Sequence, residues 1–291
     1  MVQYPYILSP TAIAGVMYSQ QGFDITKDIV VSFDYACYGL GPTGDEGFTV
    51  FFVDAIQKVF FQNLEGSQGL TNYNGTSANI VSGGGPGAGL CYSPMNSVSS
   101  SSLTGIVSFP GVGRAALGIG FDLTGHFALS GYGAPGGFTV PVPNSITIRD
   151  GYDNNYQFLY NSGDLNSNTS PFPFSLYQQV SSITDPDIVT YNRIRVRITD
   201  FGQRIFVDIK RPHDLYYTTF SSIIMPLTAW WPDMVYCCLG FATGQLTTIF
   251  KVLNFNVNGV FKTTPRSWVY YLDQDTLSGT SLTVYHRVSL W

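Results

Sequence analysis

Glutamate is nearly absent from this chain, in which only Glu46 and Glu65 occur among 291 residues. Hydrolysis of a glycosidic bond usually needs two carboxyl groups that flank the bond, one of which acts as an acid while the other acts as a base or nucleophile. The two glutamates are far apart in the sequence and form no pair a few positions apart on one strand. The sequence therefore favours binding over catalysis. A glycan-cleaving enzyme stays open only if aspartates replace the missing glutamates.

Charged residues are also scarce, at 11% of the chain against an average of about 25%. The net charge is −5 and the basic residues are scattered, so we expect no nucleic-acid partner. No stretch approaches 18 consecutive apolar residues, so we expect no membrane insertion. Residues 1–5 lack the basic and apolar regions of a secretory signal. We therefore expect a soluble protein that leaves a cell by another route, or a mature form whose signal has been removed.

The four cysteines follow no metal-binding spacing. Cys237 and Cys238 are adjacent, and on a strand their side chains would point to opposite faces. The favoured interpretation is that Cys37, Cys91, Cys237 and Cys238 are buried, reduced thiols that act as small apolar residues. One disulfide remains an alternative.

Aromatic residues, glycine and proline are abundant, with 15% aromatics, 31 Gly and 16 Pro. Apolar residues recur with a period of two along the chain, and no window shows a convincing helical period, so the sequence predicts an all-β fold. Residues 29–38 alternate like a half-buried strand. Residues 48–53 are apolar on both faces, which is typical of an inner strand of a layered sandwich.

The clearest predicted hairpin joins residues 193–198 to residues 205–210 through a turn at residues 200–202. The apolar residues of both strands should face the core. Three arginines of the first strand then lie on the other face, with Asp208 as a possible cross-strand partner. An anion site is one interpretation of these arginines, and a solvated or inter-sheet polar face is the favoured one.

Further strands are predicted at residues 116–121, 145–149, 235–241 and 250–258, with long loops at residues 96–105 and 161–173. No linker divides the chain, so residues 1–262 are predicted to form one β-sandwich. Residues 263–291 fall outside its pattern. They are too apolar for a free tail, and we expect this C-terminal extension to pack on the sandwich or to assemble with a partner.

Five segments resemble, in family order, the legume-type (L-type) lectins of the concanavalin A-like lectin/glucanase superfamily: residues 44–52, 83–90, 117–122, 238–244 and 250–257. The first is similar to the family's Asp-Gly-hydrophobic strand entry, the second to its Gly-rich sugar-binding loop, the third to a strand that ends in a metal-binding Asp, and the last two to the strands that close its sandwich. The match spans residues 22–258. The resemblance implies an antiparallel two-sheet jelly-roll sandwich.

The same resemblance implies a sugar pocket at one end of the concave sheet. There, a carboxylate and a backbone amide of the Gly-rich loop would hold sugar hydroxyls, and an aromatic ring would stack on the apolar sugar face. The candidate sugar-binding residues are the carboxylates Asp45 and Glu46, the loop glycines Gly84 and Gly85, and the tyrosines Tyr92 and Tyr132.

A bound Ca²⁺ fixes the loops in many members of the family, and the resemblance makes Asp122 the candidate metal ligand. The chain departs from the pattern because Gly120 stands where many members have an acidic residue, and no second Asp follows Asp122 to complete the cluster. Ca²⁺ usually takes six to eight oxygen ligands, so a cap for a turn is the alternative role of Asp122. If the site is shared, Asp122 should lie close to Asp45 and Glu46.

These observations lead to two hypotheses of function. The first is a non-catalytic carbohydrate-binding protein with glycan partners. The alternative is a structural virion, capsid or attachment protein that uses the lectin fold for assembly, as a homo-oligomer or with capsid or tail proteins. Low charge and the aromatic C-terminal extension favour assembly, and the expected location is a virion surface or the outside of a cell.

Overall fold

The computed structural model describes residues 3–9, 12–19, 21–39, 47–55, 90, 92–96, 108–109, 111–130, 135–163, 172, 174–179, 190–226, 229–243, 248–258 and 268–269. Their strands form two large sheets and one small hairpin. Within these ranges, the helical structure is a 3-10 turn at Tyr152–Asn154, and no helix is long and apolar enough to cross a membrane.

The first sheet has eight strands, with the order β1-β2-β15-β5-β8-β9-β10 and with β3 paired to β15. Its pairs are antiparallel. Its strands are β1 (Gln3–Ser9), β2 (Ala12–Tyr18), β3 (Phe23–Asp24), β5 (Gly47–Asp54), β8 (Ala115–Asp122), β9 (Ser145–Asp150), β10 (Phe158–Asn161) and β15 (Met234–Thr243).

The second sheet has seven strands, with the order β14-β13-β12-β4-β16-β17 and with β11 paired in parallel to β4. Its strands are β4 (Ile29–Gly39), β11 (Gln178–Gln179), β12 (Asn192–Thr199), β13 (Arg204–Lys210), β14 (Thr218–Ile224), β16 (Thr248–Val257) and β17 (Trp268–Val269). A separate hairpin pairs β6 (Met95–Asn96) with β7 (Ser108–Phe109). The predicted all-β, two-sheet sandwich is confirmed by this strand pairing.

The core lies between the two sheets because their strands alternate as the sequence predicts. On β4, every second side chain from Ile29 to Cys37 is buried in the core. On β12 and β13, the alternating Ile and Val residues join the same core. The predicted hairpin of these two strands is confirmed by their antiparallel register, in which Arg195 lies opposite Asp208.

A second buried layer covers the other face of the eight-stranded sheet. It is formed by the described residues of the segments that we name the loop layer: 90, 92–94, 111–114, 123–130, 135–144 and 151–157. The rings of Tyr92, Phe127 and Tyr156 in this layer are at most 1% exposed. All residues of β5 and β8 are consequently buried, which confirms the prediction of a strand apolar on both faces at residues 48–53.

Two glycines of β8 create the space for this layer. A Cβ atom at position 118 would lie 2.4 Å from the ring of Tyr92, and one at position 120 would lie 2.3 Å from the ring of Phe127. Such distances are far inside van der Waals contact, so only glycine allows the two rings to lie against the strand.

Three of the four cysteines and part of the predicted C-terminal extension lie within the described residues. Cys37, Cys237 and Cys238 are buried, as predicted, and Cys91 lies outside the described residues. Of the predicted C-terminal extension, Trp268–Val269 pairs with β16, and the rest lies outside the described residues. The division into residues 1–262 and 263–291 stays a prediction.

Candidate functional site

Gly47 lies at one end of the eight-stranded sheet, between two strand neighbours. On one side it pairs with Asp122 of β8, and on the other with Ala242 of β15. Its φ is +132°, and a Cβ atom there would lie 2.1 Å from the carbonyl oxygen of Phe121. This position therefore requires glycine, and it fixes where the preceding segment enters the sheet.

Most of the predicted sugar-binding residues lie outside the described residues, namely Asp45, Glu46, Gly84, Gly85 and Tyr132. The expected proximity of Asp122 to Asp45 and Glu46 stays a prediction. It agrees with the register, because the residue that directly follows Glu46 is the strand partner of Asp122.

The Gly-rich segment at residues 83–90 ends close to the same sheet end. The carbonyl of its last residue, Leu90, accepts a hydrogen bond of 2.6 Å from the buried hydroxyl of Thr49 on β5. Thr49 is two residues from Gly47. The end of the Gly-rich segment is therefore anchored beside the strand that the Asp45–Glu46 segment enters.

Asp122 organises the turn that follows β8. It is fully buried, and its two carboxylate oxygens accept hydrogen bonds from the backbone N–H groups of Gly125 at 2.7 Å and Phe127 at 2.8 Å. This is the turn-capping role that the sequence left as an alternative.

The described residues around Asp122 do not fit a Ca²⁺ site. Its carboxylate oxygens accept hydrogen bonds from the N–H donors of Gly125 and Phe127, whereas Ca²⁺ takes oxygen ligands. At position 120, where the resemblance would have an acidic ligand, there is no side chain and the ring of Phe127 fills the space. Among the residues that the structure describes, no three His, Cys, Asp or Glu side chains cluster as a metal site would require.

Tyr92 is wrong as a stacking platform for a sugar. Its ring has no exposed surface, because it lies between Gly118 of β8 and the rings of Phe51 and Tyr156. Its hydroxyl donates a hydrogen bond of 2.8 Å to the carbonyl of Asp150. Burial raises the pKa of Tyr92 well above its ordinary value. The residue is a structural part of the loop layer.

Arg149 is a buried residue that the sequence did not single out. It is 1% exposed, and its guanidinium donates hydrogen bonds to four backbone carbonyls. The acceptors are Phe127 at 2.8 Å, Leu129 at 2.9 Å, Tyr156 at 3.1 Å and Pro135 at 3.3 Å. Burial lowers the pKa of Arg149 to about 10, and the negative charge of Asp122 opposes this shift.

The sequence does indicate on which face of β9 Arg149 lies, although it does not reveal the hydrogen-bond partners of this residue. Arg149 follows Ser145 and Thr147 at a spacing of two, which places it on the face of β9 opposite the core residues Ile146 and Ile148. That spacing shows the face but not the burial. Backbone carbonyls carry no sequence signature, so the contacts could not be predicted.

The arginines of β12 form a paired polar face rather than a free anion site. The carboxylate of Asp208 is fully buried and accepts hydrogen bonds from Arg195 at 2.8 Å and Arg197 at 2.9 Å. Arg193 binds Asp34 through both carboxylate oxygens, and Arg195 stacks 4.0 Å above the ring centroid of Tyr217. The favoured interpretation from the sequence is thus confirmed.

Comparison with known proteins gives matches at the level of structure. No protein-family model matches the chain, and no curated protein matches it in sequence. Solved structures similar to the chain include legume lectins. The lectin UEA-II in complex with galactose is 15% identical, with 88% of this chain and 85% of that one covered and a TM-score of 0.44.

Two further lectins are similar to the chain. Lectin I-B4 from Griffonia simplicifolia, in a metal-free form, is 11% identical with a TM-score of 0.46, covering 85% of this chain and 82% of that one. Lectin I from Ulex europaeus, in complex with the methyl glycoside of α-L-fucose, is 13% identical with a TM-score of 0.47, covering 88% and 84%. The likeness of the chain to these lectins is one of fold.

Proposed function

We propose that the chain is a non-catalytic carbohydrate-binding protein whose site lies at the Gly47 end of the eight-stranded sheet. The observation that carries this proposal is the convergence of distant segments. Gly47 pairs with Asp122, and Thr49 binds the carbonyl of Leu90, 41 residues away. The Asp45–Glu46 segment and the Gly-rich segment, each chosen from the sequence as part of a sugar site, therefore both lead to this sheet end.

The chemistry of these segments suits sugar hydroxyls. The carboxylate of Asp45 or Glu46 can accept two hydroxyl hydrogen bonds at once, and charge-assisted bonds are the stronger kind. Gly84 and Gly85 let a hydroxyl approach the main chain closely because they carry no side chain. Tyr132 remains the candidate ring for stacking. We add residues 244–247 to the proposed site. They directly follow β15, which ends one residue after Ala242, the strand neighbour of Gly47.

The bonding of the buried carboxylates among the described residues supports binding over hydrolysis. A glycosidase needs two carboxyl groups directed at the substrate, whereas these are engaged by neighbouring N–H groups. Asp34 accepts from Arg193 and Asn254, Asp54 from Arg114, Asp122 from Gly125 and Phe127, Asp150 from Gly151 and Asn154, and Asp208 from Arg195 and Arg197.

A glycan array, run once with Ca²⁺ and once with a chelator, tests the proposal. We expect specific signals from the wild-type protein and their loss in Asp45→Asn and Glu46→Gln variants. Asp153→Asn is the matched control, since this exposed aspartate lies in the 3-10 turn beyond the opposite end of β9. No signal from a correctly folded sample under either condition would contradict glycan binding. Release of reducing sugar from an array hit would contradict a non-catalytic role.

Assembly on a virion or as a homo-oligomer is the second candidate function. It is favoured by large apolar side chains exposed around the edge strand β14, where Leu215 and Tyr216 are each 81% exposed and Ile224 is 74% exposed. Leu215 and Tyr216 precede the strand and Ile224 ends it, and large exposed apolar side chains can mark a protein interface. A location on a virion surface or outside a cell belongs to both candidates.

The mass of the protein in solution distinguishes the two candidates. A discrete oligomer that dissociates in a Tyr216→Ser, Ile224→Ser double variant would support assembly through β14. Val140→Ser is a suitable control, because Val140 is exposed but lies in the loop layer. A monomer at all concentrations that retains glycan binding would support the first candidate alone.

A further inference from the structure

The segment that follows Asp122 is held against the sheet by one buried cation. We name the described residues of this segment, 123–130 and 135–138, the Asp122 loop. Three of the four carbonyls bound by Arg149 belong to it, those of Phe127, Leu129 and Pro135. The fourth, of Tyr156, ties the same guanidinium to the segment beyond β9.

The guanidinium of Arg149 is surrounded by the kinds of oxygen atom that bind a hard cation such as Ca²⁺ in other proteins. Backbone carbonyl oxygens together with a nearby carboxylate are typical ligands of Ca²⁺. Here the carbonyls point at Arg149, and the charge of Asp122 acts on that same side chain. A guanidinium carries five N–H donors in a planar fork, so it can satisfy four carbonyls in different directions, which an ammonium group with three donors cannot do as well.

The packing on β8 leaves no room for an acidic metal ligand at position 120. The ring of Phe127 fills the space above Gly120, and the guanidinium of Arg149 lies 5.5 Å from the centroid of that ring. Gly120, Phe127 and Arg149 are therefore one packed unit, with the positive charge supplied by the chain itself.

We propose that the guanidinium of Arg149 is the built-in cation that orders the Asp122 loop, and that this loop needs no divalent metal. Arg149 is a positioning residue, because it touches the loop backbone. The proposal goes beyond carbohydrate binding and does not depend on it, and its readouts are thermal stability and amide hydrogen exchange. Loss of glycan binding alone would leave it standing.

The first experiment uses the wild-type protein. Its melting temperature and its hydrogen exchange are compared after exhaustive treatment with EDTA and after addition of millimolar Ca²⁺. We expect the same melting temperature, and the same protection of the Phe127 and Phe138 amides, which donate to Asp122 and to Ala128. Destabilisation by EDTA together with restoration by Ca²⁺ would overturn the proposal.

The second experiment replaces the cation. In Arg149→Met, which keeps most of the side-chain volume but removes the guanidinium hydrogen bonds to four carbonyls, we expect faster exchange across the Asp122 loop and a lower melting temperature. Arg149→Lys should lie between this variant and wild type. Arg204→Met is the matched control, since Arg204 is about half exposed and pairs with an exposed Asp200, and it should exchange like wild type.

Two results of this second experiment would overturn the proposal: wild-type exchange of the loop in folded Arg149→Met, or identical exchange changes in the Arg204→Met control. If Arg149→Met does not fold, Arg149→Lys and the wild-type metal comparison still decide the question.

Discussion

The ring of Tyr92 lies directly on the backbone of Gly118, so close that a Cβ atom at position 118 would be 2.4 Å from it. This contact joins the loop layer to the eight-stranded sheet. It also explains why a tyrosine that looked available for a ligand is buried. The glycine and the ring form one packing unit, and neither can be changed alone without cost.

Gly118→Ala should destabilise the protein. An added methyl group meets a ring with no free space around it, and overpacking of this kind costs about 1–3 kcal/mol. The free energy of unfolding in urea measures the effect. Gly113→Ala is the control, because a Cβ atom there would have nothing within 4 Å. Equal stability of the two variants would contradict the close contact between Tyr92 and Gly118.

Asp208→Asn should weaken the paired face of β12 and β13 in a pH-dependent way. Burial raises the pKa of Asp208, but hydrogen bonds from Arg197, Thr219 and Arg195 together outweigh it, so the pKa lies below its ordinary value of 3.8. The contribution of the carboxylate is therefore complete above about pH 4 and is lost as the pH falls through the folded-state pKa.

At pH 7, we expect the Asp208→Asn variant to lose about 3 kcal/mol of unfolding free energy, as when a buried ion pair is broken. The difference from wild type should shrink below about pH 4. Asp200→Asn breaks the exposed pair with Arg204 and should cost at most about 1 kcal/mol. A difference that stays constant down to pH 2 would contradict this account.

The thiols of Cys37, Cys237 and Cys238 should not react in the folded protein. All three are buried, and burial raises the pKa of both Cys237 and Cys238. In a Cys91→Ser variant, a thiol reagent should label no cysteine under native conditions and three after denaturation. Fast native labelling would show that this region opens.

The thiols of Cys237 and Cys238 should make the protein less stable at alkaline pH. Unfolded thiols ionise near pH 8.5, whereas the buried ones keep their protons. Stability should therefore fall as the pH rises from about 8.5 toward the folded-state pKa values. Replacing Cys237 by Ala should make the unfolding free energy depend less steeply on pH in this range. If the pH dependence is unchanged, groups other than this thiol cause it.

Truncation after Val260 should reduce stability and solubility. The short strand Trp268–Val269 pairs with β16 at Lys251 and Val252, so its removal leaves the backbone groups of β16 unpaired at that edge. Exposed strand edges promote association between chains. The melting temperature and the oligomeric state of the shortened protein measure the effect, and unchanged values would show that the extension is dispensable.

The parts of the fold that depend on local alternation could be predicted from the sequence. Strand β4 and the hairpin of β12 and β13 each show a period of two, and the buried face follows from that period alone. The pairing of Arg195 with Asp208 could be predicted as well, because it follows from the register of one hairpin.

The loop layer could not be predicted, because its contacts join segments far apart in the chain. Tyr92 was assigned to a ligand, since an aromatic residue in a loop fits a stacking surface as well as a core. In the sequence, the alternation of Gly118 and Gly120 with bulky residues is the one feature that indicates aromatic rings packed over β8. The sequence correctly places Asp122 at the end of a strand. Its capping role could not be predicted, because it depends on backbone N–H groups, which every residue except proline has.

The alternation of Gly118, Gly120 and Asp122 with Leu117, Ile119 and Phe121 also determines how the strand can align during folding. A slip of one residue moves every side chain of a strand to the opposite face of the sheet. In β8, a slip of one residue would place three bulky side chains beneath the rings of Tyr92 and Phe127 and leave holes in the central core. The two glycines thus favour a single alignment of this inner strand.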